Sequence, residues 1–438
     1  MSFVIVLLCI VLLVLLITWA KLNPFLSFLL VAITAGLLLG IQPGKIIGSL
    51  QKGIGDTLGS LVMVISLGAM LGKLVAESGA AQKIAMVLTN AFGVKNLHWA
   101  LMITGFIIGI PLFYGVGFVL MVPLIFSIVY QYKLPAVYIG LPMLAALSVT
   151  HGFLPPHPSP TALVQQFKGS VGLTLVYGLV AAIPAIIIAG PVFSSTLKKI
   201  PSEPLETFRP RQIETGKLPG TANSFITSLL PVFLIMLAVV QQQLFPNVSP
   251  VLQQVFALTG DSSFVMLASV MIAAFTLGTG MGKSIKQVMA IYTDAIKDVG
   301  MILLIIAGAG ALKQVLTDSG VSQQIGMALQ SVSLHPLIMG WLIAAIIRVC
   351  VGSATVAGLT TAGIIAPLIV QANVNPNLMV LSIGAGSLMF SHVNDTGFWM
   401  FKEYFNLSVK NTFKTWTVME SIVSVVGLLA VLLLNAII

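Results

Sequence analysis

Apolar residues run along this chain in long blocks. They cover about 3–20, 24–41, 58–75, 99–113, 116–130, 135–150, 171–193, 225–245, 263–279, 299–316, 336–351, 356–371, 377–391 and 416–438. Crossing the hydrocarbon of a bilayer takes about 20 apolar residues in one helix. The blocks therefore predict an all-α, polytopic membrane protein with about 12–14 hydrophobic segments. Several blocks are short and rich in Gly, Pro, Ser and Thr, which predicts re-entrant or broken helices among the full spans. The longest polar stretch, 194–222, carries Lys198, Lys199, Arg209, Arg211 and Lys217. It reads as a cytoplasmic linker between a first transmembrane unit, 1–193, and a second, 223–438.

The two units repeat. Residues 57–88 align without a gap on 298–329, an offset of 241 that pairs Ser78 with Ser319, Gly79 with Gly320 and Gln82 with Gln323. The same offset lays His151 over His392, and Trp99 and Trp341 match at an offset of 242. Block 3–20 is followed by Lys21, whereas block 225–245 follows the basic linker and precedes a stretch without Lys or Arg. Basic residues mark the cytoplasmic side, so the repeats are expected to have opposite topology, with both termini periplasmic. Lys45 and Lys52 run against that assignment. Inverted repeats belong to secondary transporters, which bind substrate near the midplane where the repeats meet.

Composition agrees with lipid as the main solvent. Only 8% of the 438 residues are charged, against roughly 25% in a soluble domain, and the mean hydropathy is +1.06. The net charge of +9 is scattered over short loops, which fits the positive-inside rule and not nucleic-acid binding. Cys9 and Cys350 both lie in apolar blocks and imply neither a disulfide framework nor a metal site. The first block lacks a basic n-region and a cleavage site, so it is expected to stay as a span.

Three arginines exist, and Arg348 alone stands inside an apolar block, WLIAAIIRVCVGSATVAG. A charge there costs at least ~2.5 kcal/mol and ordinarily faces a cavity or a partner. Its planar fork suits a carboxylate, although a structural ion pair is the alternative. Gly352, Ser353 and Thr355 follow at an expected helix break, where hydroxyls and freed backbone N–H groups suit an anion. A second cluster, Ser391-His392-Val393-Asn394-Asp395, places an imidazole beside a carboxylate. Asp395 and His392 are candidate proton carriers, with a helix cap as the plainer role for Asp395. Asn394 is a further candidate for substrate. The repeat mate of this cluster, Thr150-His151-Gly152-Phe153-Leu154-Pro155-Pro156-His157-Pro158, offers His151 for protons or substrate and His157 for substrate. Four prolines within 155–160 are expected to impose an extended segment.

His98 and His335 read as interfacial, and Lys73 and Glu77 as a surface pair of (i, i+4) type. Glu420 reads as a structural polar contact. Zinc at the histidines is the weaker option, because no other ligand lies nearby in sequence. HExxH, GxSxG and Walker sequences are absent. A membrane-embedded enzyme using His151, His157 and Asp395 is the competing reading, and the repeated broken segments disfavour it. No cofactor is implied. The expected partners are a small carboxylate, protons and the bilayer.

The segments LSVTHGFLPPHPSPTA (147–162), RVCVGSATVAGLTTAGIIAPL (348–368) and FSHVNDTGFWMFKEYFNLS (390–408) resemble the gluconate permease family, the gluconate:proton symporters. The resemblance runs over essentially the whole chain. It implies import of gluconate or a similar sugar acid with a proton, or in related members idonate, D-serine, glycerate or another small hydroxy or amino carboxylate. It also implies placement in the bacterial inner membrane. The family is similar to the broader ion-transporter superfamily, which implies re-entrant hairpins and a homodimer that moves substrate by an elevator motion. The family pattern has a glutamate where this chain has Gly115 in FYGVGFVL (113–120).

Overall fold

The computed structural model describes residues 2–110, 114–155, 157–209, 218–244, 249–321, 324, 334–372 and 374–438. Among these residues all regular structure is helical. The first half runs through α1 (Ser2–Thr18), α2 (Pro24–Leu38), α3 (Pro43–Glu77), α4 (Ala80–Phe92), α5 (Leu97–Gly109), α6 (Tyr114–Tyr132), α7 (Ala136–Phe153), α8 (Pro158–Gln166) and α9 (Val171–Ile187). The second half runs through α10 (Thr221–Leu244), α11 (Pro250–Gly260), α12 (Ser262–Ala273), α13 (Ile285–Asp318), α14 (Pro336–Val351), α15 (Ala354–Ala372), α16 (Pro376–Gly386), α17 (Thr396–Tyr404) and α18 (Val418–Ile437).

The order of elements is parallel in the two halves. Each has one very long helix, α3 with 35 residues and α13 with 34. Each then has a pair of short helices with a break between them (α5/α6 and α14/α15), a second such pair (α7/α8 and α16/α17), and a closing apolar helix. Six described helices are long and apolar enough to cross a membrane: Pro43–Glu77, Ala136–Phe153, Val171–Ser195, Ser263–Met281, Ile285–Asp318 and Val409–Ile437. Shorter apolar helices, including α2, α14 and α16, make up the rest. The chain is thus a polytopic membrane protein with broken helices. Gln323, one member of the repeat pairs, and Arg211, Lys217, Phe113 and Pro156 lie outside the described residues.

Helix faces sort by solvent. In α1, Val4, Leu8, Val11 and Leu15 are exposed while Val6, Cys9 and Leu13 are buried. Leu429, Leu433 and Ile437 of α18 are likewise exposed. Water would penalise such stripes, and lipid tails do not. The innermost helices are the repeat mates α7 and α16, in which nearly every residue is buried. The long helices α3 and α13 approach each other at Gly53 and Gly310. A methyl on Gly310 would strike Thr57 and the Gly53 carbonyl, so only glycine lets the backbones meet there.

Several expectations change. The long helices begin about 14 residues before the apolar blocks 58–75 and 299–316, because a helix starts where it is capped. Pro43 opens α3, and a Ser284–Gln287 capping box opens α13. Leu154 leaves α7 in an extended conformation, but 158–166 is helical and not extended. Pro158 occupies the first turn of α8, where a missing N–H costs nothing. Lys73 pairs with Asp298 of α13 at 2.8 Å, a partner across the helix interface that lies far off in sequence. His98 is buried against Tyr138, its Nδ1 3.0 Å from the Tyr138 hydroxyl. The described part of the linker is tied down. Ser202 donates to the Phe405 carbonyl at 2.7 Å and Thr207 to Asp298 at 2.6 Å.

Candidate functional site

Arg348 lies in the last turn of α14, and Asp395 is the N-cap of α17. Each charge sits at the helix end that favours it, a cation at a C-terminus and an anion at an N-terminus. The two form a buried ion pair through Nη2 and Oδ2. Asp395 Oδ2 also accepts from the Ser391 hydroxyl, and Oδ1 accepts from the Gly397 N–H at 3.0 Å. Trp416 Nε1 donates to Ser391 Oγ at 2.8 Å, and the Thr417 hydroxyl donates to the Ser391 carbonyl at 2.6 Å. Both residues come from a π-helical turn, Phe413–Thr417, which shifts the register ahead of α18.

The guanidinium is not exhausted by Asp395. Arg348 is 4% exposed, and its Nε and Nη1 are buried without a partner among the described residues. Nη2 carries one hydrogen on each edge of the plane. An acid on one edge therefore leaves two parallel N–H groups on the other, the arrangement a carboxylate fits. Leaving such donors unmade in a buried site is costly, so a ligand that fills them gains correspondingly.

Arg348 is part of the lining of a cavity of about 220 Å³. Its charged lining is Arg348, Lys313, Asp395 and Glu420. Hydroxyls come from Ser148, Tyr114, Ser353, Thr355 and Thr396, and an imidazole comes from His151. Leu61, Leu388, Met400 and Trp416 supply apolar and aromatic wall. The α14/α15 break forms one side. Gly352 closes α14 in the left-handed region at φ 74°, and a side chain there would run into the Asn394 carbonyl. Ser353 then caps α15. A separate cavity of about 130 Å³ among Gly68, Leu71, Leu101, Val119 and Phe225 is walled almost wholly by apolar groups. An anion entering it would find no counter-charge.

Of the residues singled out from sequence, Arg348, Gly352, Ser353, Thr355, His151 and Asp395 meet at the larger cavity. His157, His392 and Asn394 are not in its lining. Each is committed to main chain instead. His157 Nε2 lies 2.8 Å from the Gly109 carbonyl, and His392 Nε2 lies 2.8 Å from the Val349 carbonyl. Asn394 Nδ2 donates to the carbonyls of Val349 and Cys350, which the end of α14 leaves unpaired. These three residues thus hold helix ends in place around the cavity. His151 Nδ1 has no partner among the described residues, and its ring packs edge-on to His157 at 5.1 Å.

Sequence reasoning passed over Lys313 and Tyr114 and read Glu420 as a structural polar contact; all three line the cavity, and Glu420 does accept the Ser148 hydroxyl. Lys313 stands in the apolar run IIAGAGALKQVL, so the intramembrane-charge rule that marked Arg348 would have marked it too. Gly115 also lines the cavity. Among the described residues no three His, Cys or acidic side chains gather to hold a metal ion.

A multi-pass helical protein with broken helices around a buried cavity that holds two cations and two acids has the architecture of a membrane permease. The chain belongs to the GntP permease family, whose model matches residues 1–437. It is similar to the high-affinity gluconate transporter of Escherichia coli K12, at 46% identity over 100% of both chains. It is also similar to the Gnt-II system L-idonate transporter of the same organism, at 46% identity over 95% of each. Among solved structures it aligns with the Alcanivorax borkumensis YdaH transporter at TM-score 0.42 and 14% identity, covering 95% of this chain and 98% of that one. The protein is accordingly a transporter and not an enzyme, set in a bacterial inner membrane.

Proposed function

We propose that this permease imports gluconate or a closely similar sugar acid together with a proton, as a homodimer. The observation that carries the reading is that Arg348 lines a buried cavity and keeps two donors without a partner among the described residues. The substrate carboxylate docks on the edge left open while Asp395 holds the other edge and fixes the plane of the guanidinium. Ser353, Thr355 and the N–H groups at the start of α15 complete the anion site. Along the sugar chain, hydroxyls meet His151, Ser148 and Tyr114. A polyol needs many such partners, because each hydroxyl left unpaired on desolvation costs free energy. The gluconate and idonate carriers are equally similar to this chain, which supports the sugar-acid class with gluconate as its first member.

Proton coupling follows from the chemistry of the cargo. An anion moving alone works against an inside-negative membrane potential, and a companion proton removes that penalty. Of the residues considered as proton carriers from sequence, Asp395 and His151 line the cavity, whereas His392 Nε2 lies against the Val349 carbonyl. Uptake of labelled gluconate into reconstituted vesicles tests the reading. An imposed inward proton gradient should drive accumulation, and an uncoupler should abolish it. Accumulation driven by sodium and indifferent to the uncoupler would refute proton coupling. Absence of gluconate uptake would refute the substrate.

A further inference from the structure

Glu420 lies in the first turn of α18, three residues after the π turn ends. It is 2% exposed. Oε1 accepts the Ser148 hydroxyl at 2.7 Å, while Oε2 is buried without a partner among the described residues. Asp395 differs, since both of its oxygens take donors and one carries the Arg348 ion pair. One acid of the cavity is therefore fixed in a salt bridge. The other has an oxygen free to take and give a proton.

Charge balance adds a second argument. With both acids ionised, Arg348 and Lys313 balance Asp395 and Glu420, and the empty cavity is neutral. A substrate carboxylate then adds one negative charge in a desolvated space of about 220 Å³. A proton on Glu420 cancels it. The empty form without the proton and the loaded form with it are both neutral. The two mixed forms, substrate alone or proton alone, each carry a net charge that burial penalises. Such a site favours movement of the two neutral forms across the membrane and disfavours the mixed ones, which is what coupling requires.

The geometry points to Glu420 as the residue that carries the coupled proton, one for each carboxylate. This rests on the reading that the permease carries a sugar acid with a proton. The proton comes from water on the side where substrate enters, converts the Glu420 carboxylate to the neutral acid, and returns to water on the far side when substrate leaves. The other groups that face the cavity are Arg348, Lys313, Asp395, His151 and Tyr114. Arg348 and Asp395 act on Glu420 electrostatically.

The test is proton uptake when gluconate is mixed with the purified full-length protein in weakly buffered detergent solution, read with a pH dye beside a direct binding measurement. Wild type should take up about one proton per gluconate bound at a pH where Glu420 is ionised. Glu420→Gln should bind gluconate with an affinity that no longer changes with pH, and should take up none. Proton uptake persisting in Glu420→Gln overturns the assignment, and so does its loss in His151→Asn while Glu420 is intact. Ser148→Ala removes only the hydroxyl that bonds the carboxylate and serves if Glu420→Gln does not fold. It should move the midpoint of the binding-pH curve, because a hydrogen bond to the carboxylate is gone. An unmoved midpoint overturns the proposal. Failure of wild type itself to bind gluconate strikes the transport reading, a result distinct from any of these.

Discussion

Arg348 and Asp395, 47 residues apart, form a buried ion pair that joins the C-terminal end of α14 to the N-terminal end of α17. The pair is part of the wall of the cavity and orients the guanidinium, yet it leaves Nε and Nη1 without partners among the described residues. A purely structural ion pair has no reason to keep buried donors unmade. Of the two roles weighed for Arg348 from sequence, the ion pair is present in the structure, and the anion site is the role proposed here for the remaining donors.

A double-mutant cycle tests the pair. Breaking a buried ion pair from one side leaves an uncompensated charge and costs roughly 3–5 kcal/mol. Asp395→Asn and Arg348→Gln should each lower the melting temperature of the purified protein. The double variant should be markedly less destabilised than the sum of the two. Strict additivity would mean that the two side chains do not interact.

Topology is accessible through the linker. We propose from its basic character that it lies in the cytoplasm, with both termini outside. Cys9 and Cys350 are buried, so a cysteine at exposed Glu203 would be the reactive thiol among the described residues. Glu203→Cys should resist a membrane-impermeant maleimide in intact cells and react once the membrane is opened. Strong labelling from outside would reverse the assignment.

Much of the fold was legible in the sequence. The bounds of α14 coincide with an apolar block because Pro336 opens the helix and Gly352 ends it. The amphipathic first halves of α3 and α13 were not legible from hydropathy, which marks where lipid and core demand apolar residues and not where a helix begins. The cap signals of Pro43 and Ser284–Gln287 were the better guide. At the site, Arg348 and Asp395 stood out as charges in apolar surroundings, but nothing in the sequence pairs residues so far apart. The same limit hid the Lys73–Asp298 bridge. His392 and Asn394 drew attention as functional groups, and their neighbours turned out to be the bare carbonyls at the end of α14. Glu420 looked like an ordinary polar contact because its unpartnered oxygen exists only in three dimensions.

The central claim is that the open edge of Arg348 binds the substrate carboxylate. Its most direct test is equilibrium binding of gluconate to purified wild type, Arg348→Lys and Arg348→Gln at equal folded fractions. Lysine keeps the charge and can still pair with Asp395, but it lacks the second parallel N–H. A charge-assisted hydrogen bond contributes about 1.5–3 kcal/mol, so Arg348→Lys should weaken binding by about one to two powers of ten. Arg348→Gln should weaken it further, and a gluconate analogue without the carboxylate should fail to compete in wild type. If both variants bind gluconate as tightly as wild type does, Arg348 is a structural residue and the carboxylate binds elsewhere.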